Sequence, residues 1–473
     1  MGKGVFFLLI CFSLIRPSWA SADEKSASRK PSFKYKDYNV IFVSFDALQA
    51  KHVQMLGNER NITPAIDAMA RKGFCFRNIF SVASWTVPSS MSWFTGVFPS
   101  EHKVVNKFSI YNSLVKKISN LNELSPDLVT LAEIFKNNGY ATAGFTGDAG
   151  VKGVFGFSRG FDVYVDDRKF GGMDHSIPKA VEWLNKNKEK KFFMFLHGYD
   201  CHGQFEPSAG FDYRFVDKTY DHKYKGTNEE QEALREEGLA NGKVNVREQD
   251  VQFWRAVYDE KINRSDSLFG AFLKELDKLD LTRKTILVLT SDHGTELFEH
   301  QRIDHGFTLY DELIHVPLII VVPDQSAGRM IDDQVSSIDV MPTILDLMSL
   351  DLPENVTRQL KGRSLLPQMK GVPGSRDVYA ETDYRQYTYK RMVRTVDGWK
   401  FIYTLENKNR ELYDLNNDPK ELLNLVDREK RKAYELEQRL FDHLKSFGSD
   451  PDKRWETGCN PVYDSQAPDY KKP

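Results

Sequence analysis

The stretch Asn39–Ala47, NVIFVSFDA, decides the fold. Val40, Ile41, Phe42, Val43 and Phe45 are interrupted only by Ser44, so an extended segment here has no polar face. A strand apolar on both faces is covered on both faces, the condition of a parallel sheet layered with helices. The run stops at Asp46. In open α/β sheets ligands gather beyond the carboxyl ends of the strands, so Asp46 is a candidate ligand as well as an ordinary helix cap.

The same pattern recurs outward from this stretch. ATAGFTGD (141–148), KKFFMFLHGYDCH (190–202), KTILVLTSDHG (284–294) and VPLIIVVP (316–323) read as further buried strands. Between them TPAIDAMARKG, LVTLAEIFKNNG and SDSLFGAFLKELDKL have helical spacing. Strand alternating with helix implies an α/β fold, a mostly parallel sheet sandwiched by helices. Residues 208–250 are charged and lack a strand rhythm; they read as an insertion over one sheet edge, either lining a substrate mouth or merely solvated. From Asp377 the pattern shortens: DVYAETD, MVRTVDGWKFIYTL and ELYDLNNDP read as antiparallel strands, and AYELEQRLFDHLKSF as a closing helix. The expected division is a signal peptide 1–22, a linker 23–36, a catalytic domain 37–374, a small C-terminal α+β subdomain 375–447 and a tail 448–473.

With 473 residues, 65 basic against 67 acidic, the chain has no basic excess of the kind nucleic acid demands. Lys3, the apolar run Val5–Ile15 and the small residues Ala20 and Ala22 form a secretory signal too short to span a bilayer. The expectation is an exported protein, periplasmic or secreted, with no integral membrane segment once the signal is cleaved. Cys75, Cys201 and Cys459 are too widely spaced to define a disulfide framework. Cys201, beside Asp200 and His202, reads as a small buried filler.

Three buried strands end in polar clusters: Asp46, then Asp200 with His202, then Asp292–His293. Carboxylate oxygens and neutral imidazole nitrogens suit Zn²⁺, Mn²⁺ and similar ions. A fourth group precedes a helix, in SWTVPSS (84–90), where Thr86 stands two residues before Pro88. Taken alone this is a helix cap, since hydroxyl oxygens satisfy first-turn amides and proline fits there. The alternative is a nucleophile at the positive end of the helix dipole.

These pieces occur in one order: NITPAIDAMARKGFCFRNIFS, SWTVPSSMSWFTGVFPSEH, FGFSRGFD, FFMFLHGYDCH, YDEKINRSD, TSDHGTELFEHQRIDHGFTLYDELIHVPLII, and RTVDGWKFIYTL with ELYDLNNDPKELLNL. In that order they resemble the sulfatase family of the alkaline phosphatase superfamily, from about Tyr38 to Leu444. The resemblance implies an alkaline-phosphatase-like fold and a divalent metal held by Asp46, Thr86, Asp292 and His293. It implies Thr86 as nucleophile, with His202 and His305 contacting the substrate oxyanion or assisting the leaving group.

The departures bear on substrate. Sulfatases oxidise a Cys or Ser at the Thr86 position to formylglycine, guided by a proline and then an arginine; Pro88 is present, but Ser90 stands at the arginine position. Threonine oxidised at its β-carbon gives a ketone, so the aldehyde-hydrate route is closed. Ala47 follows Asp46 where calcium sulfatases carry a second aspartate, His293 replaces their usual asparagine, and His305 a common lysine. The family's Lys-x-His element is absent near TGDAGVKGVFG, where Asp148 stands. A nitrogen ligand moves preference toward Mn²⁺ or Zn²⁺, with Ca²⁺ the alternative.

The expectation is a metal-dependent hydrolase of phosphate monoesters, diesters or phosphonate esters, acting on a small-molecule or glycan ester. The alternatives are a sulfuric ester hydrolase working without formylglycine, a phosphoethanolamine or glycerophosphate transferase, and an inactive secreted binding protein. The sequence leaves the oligomeric state open. Of the other histidines, His102 reads equally as a contact at the site's mouth or a cap, His197 as a satisfied core histidine and His300 as exposed. His52, His175, His222, His315 and His443 receive no role.

Overall fold

A computed structural model describes Met1 and residues 33–105, 109–112, 117–120, 124–147, 150–203, 212–323, 325, 327–384 and 388–449. All of the expected signal peptide but Met1, most of the expected linker, Asp148 and nearly all of the expected tail lie outside the described residues.

An eight-stranded sheet forms the centre, in the spatial order Arg329–Ser336, Phe74–Phe80, His315–Val321, Thr285–Ser291, Asn39–Phe45, Phe192–Gly198, Ala141–Phe145, Val163–Val165. Asn39–Phe45 runs parallel to both of its neighbours. VPLIIVVP is a strand, but its pairing is antiparallel to both neighbours. A run buried on both faces carries no directional information, so the sequence pattern could not show this.

Successive side chains of Asn39–Phe45 enter opposite cores, as its lack of a polar face requires. Val40 and Phe42 join one apolar cluster, with Trp93 and Phe195. Ile41, Val43 and Phe45 join the other, with Met194, Leu289 and Ile319. Phe42 meets the rings of Trp93 at 5.3 Å and Phe195 at 5.6 Å, which pins the Thr86–Thr95 helix to the centre of the sheet.

The carboxyl ends of Asn39–Phe45, Thr285–Ser291 and Phe192–Gly198 lie on one edge of the sheet. Phe74–Phe80 is related to Thr285–Ser291 by two antiparallel steps, so it points the same way and delivers the Thr86–Thr95 helix there.

The C-terminal segment forms an antiparallel meander of Val378–Tyr384, Thr388–Arg394, Trp399–Thr404 and Asn409–Asp414. One face packs under the Lys430–Lys445 helix through Leu436, Leu440 and Leu444. The other packs Met392 and Ile402 against Phe80, Leu309 and Leu313 of the main sheet's surroundings. Within the charged insertion lies a helix, Asn228–Asn241, opened by Thr227, whose hydroxyl accepts from the amide of Glu230. Among the described residues no helix is long and apolar enough to cross a membrane.

Candidate active site

Asp46 follows its strand directly, its amide donating to the carbonyl of Gly198 on the neighbouring strand at 3.0 Å. The chain then turns sharply, with Ala47 at a φ of 58°. That conformation aims the Ala47 amide at Asp292 Oδ1, 3.0 Å away. Asp292 Oδ1 also accepts the amide of His293 at 2.9 Å. Its other oxygen, Oδ2, is fully buried and accepts no hydrogen bond among the described residues. A buried carboxylate with one oxygen satisfied and the other bare is expensive unless a cation completes it.

His293 completes the geometry. Its Nδ1 lies 2.6 Å from the carbonyl of Gly294, so Nδ1 carries the hydrogen and the lone pair is on Nε2. Such a second contact is how proteins fix the tautomer of a metal-binding histidine. Nε2 stands 3.4 Å from Asp292 Oδ2 and 3.8 Å from Asp46 Oδ1. Asp46, Asp292 and His293 are all buried and offer ligand atoms within 4.8 Å of one another, the one such group among the described residues. Two carboxylates and an imidazole are a donor set that fits a divalent first-row ion.

Thr86 is the first residue of its helix; Trp85 occupies the cap position and no side chain caps the helix. The cap reading therefore fails. Thr86 Oγ1 donates to Asp46 Oδ2 at 3.3 Å and lies 3.2 Å from His293 Nε2. The helix is tied to the opposite strand end by Ser81 and Ser89, whose hydroxyls each donate to the carbonyl of Asp292 at 2.6 Å. The methyl of Thr86 faces Gly150, where an added Cβ would lie 2.5 Å from Thr86 Cγ2.

His202 and His305 meet Nε2 to Nε2 at 2.9 Å. The His305 ring lies 4.3 Å from that of His293, centroid to centroid, which joins the pair to the Asp46–Asp292–His293 group. Asp304 Oδ1 accepts the His305 amide at 2.9 Å and stands 3.2 Å from its Nε2. Arg235, from the helix within the insertion, reaches Asp304 Oδ2 at 3.4 Å. The insertion thus touches the segment that carries His305.

Two histidine readings need correction. His197 is not a satisfied core residue: neither ring nitrogen has a hydrogen-bond partner among the described residues, and Nε2 lies 3.5 Å from Asp46 Oδ2. Burial pushes it down to about 4, so it stays neutral at physiological pH. His300 is not exposed, because its ring stacks on Tyr310 at 3.7 Å. His102 is a brace, its Nε2 3.1 Å from the Pro88 carbonyl and its Nδ1 accepting from the Val104 amide at 3.0 Å. Asp200 accepts the Met173 amide at 2.6 Å at the start of the Met173–Asn187 helix. Cys201 is fully buried, with burial raising its thiol well above the usual range.

A family model described as Sulfatase matches residues 38–350, and one described as N-sulphoglucosamine sulphohydrolase, C-terminal, matches residues 298–449. The chain is 24% identical to arylsulfatase K of Mus musculus over 487 aligned positions, spanning 92% of this chain and 84% of that protein. It also resembles a protein solved in complex with its substrate D-glucosamine-2-N,6-O-disulfate, with a TM-score of 0.66 and 21% identity over 88% of this chain and 99% of that one. The phosphonate monoester hydrolase of Agrobacterium radiobacter is similar in structure, with a TM-score of 0.68 and 19% identity over 87% of this chain and 95% of that one.

Proposed function

The chain belongs to the sulfatase family and is an ester hydrolase, and from that premise we propose a metal-dependent enzyme that cleaves phosphate monoesters, phosphate diesters or phosphonate esters with Thr86 as nucleophile. The observation that carries this reading is the seat of Thr86 Oγ1, between Asp46 Oδ2 and His293 Nε2. An unmodified secondary alcohol there is a nucleophile for phosphorus.

Asp46, Asp292, His293 and Thr86 Oγ1 would hold the ion. When bound, a divalent cation supplies the charge that lowers the hydroxyl pKa and neutralises the transferred group. Asp46 Oδ2 receives the hydroxyl hydrogen bond and so faces the proton that leaves as Oγ1 attacks. Oγ1 forms a bond to phosphorus while the bond to the leaving oxygen breaks, and that oxygen takes a proton from the His202–His305 pair. Water then attacks that phosphorus and gives a proton back to the His202–His305 pair; the bond to Oγ1 breaks, Oγ1 recovers its proton from Asp46, and phosphate, a phosphate monoester or a phosphonate leaves according to the substrate. His197, neutral against Asp46, contributes no charge to compete with the ion.

Sulfate is harder for this arrangement. Expelling sulfate through an aldehyde hydrate needs two oxygens on the β-carbon, and Thr86 carries a methyl there, lodged against Gly150. Sulfuric ester hydrolysis remains the second reading because the aligned relatives are named arylsulfatase K and a structural neighbour was solved with a sulfated glucosamine. The test is a panel of chromogenic phosphomonoester, phosphodiester, phosphonate and sulfate esters on metal-stripped and metal-restored protein. Phosphorus esters turn over fastest, activity disappears on chelation, and Mn²⁺ or Zn²⁺ restores it better than Ca²⁺. A sulfate ester cleaved faster than every phosphorus ester overturns the substrate assignment. Export completes the proposal; sequencing the mature N-terminus is expected to place cleavage after Ala20 or Ala22.

A further inference from the structure

A cavity of about 250 Å³ lies where the Asn228–Asn241 helix meets the Ile303–Asp304 strand and the Thr388–Arg394 and Trp399–Thr404 strands. Three cations, Arg235, Arg302 and Lys390, line it against one carboxylate, Glu406, with Ile303 and Phe307 supplying apolar wall. The volume is below the roughly 300–1,000 Å³ of a drug-sized site and suits one sugar-sized unit.

The charges are unequally engaged. Glu406 is taken up by the wall itself, accepting from the Thr388 hydroxyl at 2.8 Å and the Tyr389 amide at 3.0 Å. Arg235 is shared among Glu236 at 2.9 Å, Glu232 at 3.4 Å and Asp304 at 3.4 Å. Lys390 donates to the Thr404 hydroxyl at 2.7 Å and lies 3.8 Å from Glu411. Arg302 differs. Its Nε donates to the carbonyl of Gly242 at 2.9 Å, and among the described residues no carboxylate forms an ion pair with it. The terminal nitrogens of a guanidinium form a fork matched to paired oxygens on a carboxylate, sulfate or phosphate.

The cavity wall shares the chain segment around His305 with the candidate active site. Ile303 and Phe307 each stand two residues from His305. The Tyr384 ring lies 4.8 Å from that of Phe307 and 6.0 Å from that of His305. Arg235, in the cavity wall, holds the Asp304 that contacts His305.

We propose that this cavity is a subsite for a second anionic group of the ester substrate, carried on the unit next to the one that is cleaved, with Arg302 as its principal contact. The inference rests on the ester-hydrolase reading and narrows it to substrates with at least two anionic groups. Neighbouring cations raise the local concentration of such a ligand, and the fork of Arg302 orients it.

The test uses two disaccharides carrying the same cleavable ester, one with a uronate and the other with the corresponding neutral sugar as the second unit. The ester is phosphate or sulfate, whichever the chromogenic panel shows to be cleaved. The wild type is expected to favour the uronate in kcat/KM by about tenfold or more, through KM, the effect of one charge-assisted contact. Arg302→Gln brings the ratio close to one, Arg302→Lys keeps part of it, and added salt erodes it. A wild-type ratio near one, or a ratio untouched by Arg302→Gln in protein with an unchanged Tm, overturns the subsite. Because both esters still turn over in that case, the hydrolase reading survives. If neither is cleaved, calorimetric titration with the ester-free uronate disaccharide decides: binding weakened about tenfold by Arg302→Gln supports the subsite, and no binding, or equal binding, overturns it.

Discussion

At the scale of single residues, Thr86 and Gly150 form one unit. If Thr86 is the nucleophile, Thr86→Ala loses about 10³-fold or more in kcat with an unchanged Tm, since only binding and electrostatic stabilisation remain. Full activity in Thr86→Ala would remove the nucleophile reading. Thr86→Ser keeps the oxygen and is expected to lose little. Gly150→Ala drives a methyl to 2.5 Å from Thr86 Cγ2, so it should displace the Thr86 hydroxyl and lower kcat. Adding Thr86→Ser removes Cγ2 but leaves the Cβ at that position 2.6 Å from the new methyl, so the double variant is expected to stay impaired; full activity in Gly150→Ala itself would show that the contact does not matter. Asp46, Asp292 and His293 were legible in the sequence because each follows a buried strand at its carboxyl end. Gly150 was not, since it reaches Thr86 from a loop. Neither was His197: only the register that sets Ser44 opposite it brings its ring to Asp46.

At the scale of elements, the buried runs gave away the strands but not their partners. Arg329–Ser336 escaped notice because it is an edge strand, with Asp332 and Asp333 in its middle at a break in register. The C-terminal meander was plain from its short strands, yet what docks it was not. Lys400, fully buried, lies 2.9 Å from Asp311 and 2.7 Å from Glu421. Asp311 belongs to the segment that leaves the active site, so this cluster clamps the meander to the catalytic region. Lys400→Ala leaves the buried Glu421 without its cation, while Asp311 keeps Arg394 at 3.5 Å, and is expected to cost about 3–5 kcal/mol in denaturant unfolding. A change below about 1 kcal/mol would mean that water enters and satisfies Glu421.

At the scale of the whole molecule, eight strands bring Thr86, Asp46, His202 and Asp292 together from far apart in the chain, and the stability of that assembly depends on pH through groups the sequence does not mark. Glu296 is one. It is wholly buried three residues beyond His293, and neither oxygen has a hydrogen-bond partner among the described residues. Burial pushes its carboxyl up to about 8 from an ordinary 4.5, with Arg302 opposing and Glu312, Glu299 and Asp304 reinforcing. Between those two values the folded chain binds this proton and the unfolded chain has lost it. The contribution of Glu296 is therefore complete below about pH 4.5, declines as pH rises, and is lost once pH passes about 8. Glu296→Gln keeps the shape of the neutral acid without the titration. In thermal unfolding the two proteins should have similar Tm near pH 4.5, with the variant increasingly the more stable up to pH 8 and a constant gap above it. Over that span the difference amounts to several kcal/mol. Parallel Tm profiles across the range would show that Glu296 is ionised in the folded chain, held by a cation close to the site.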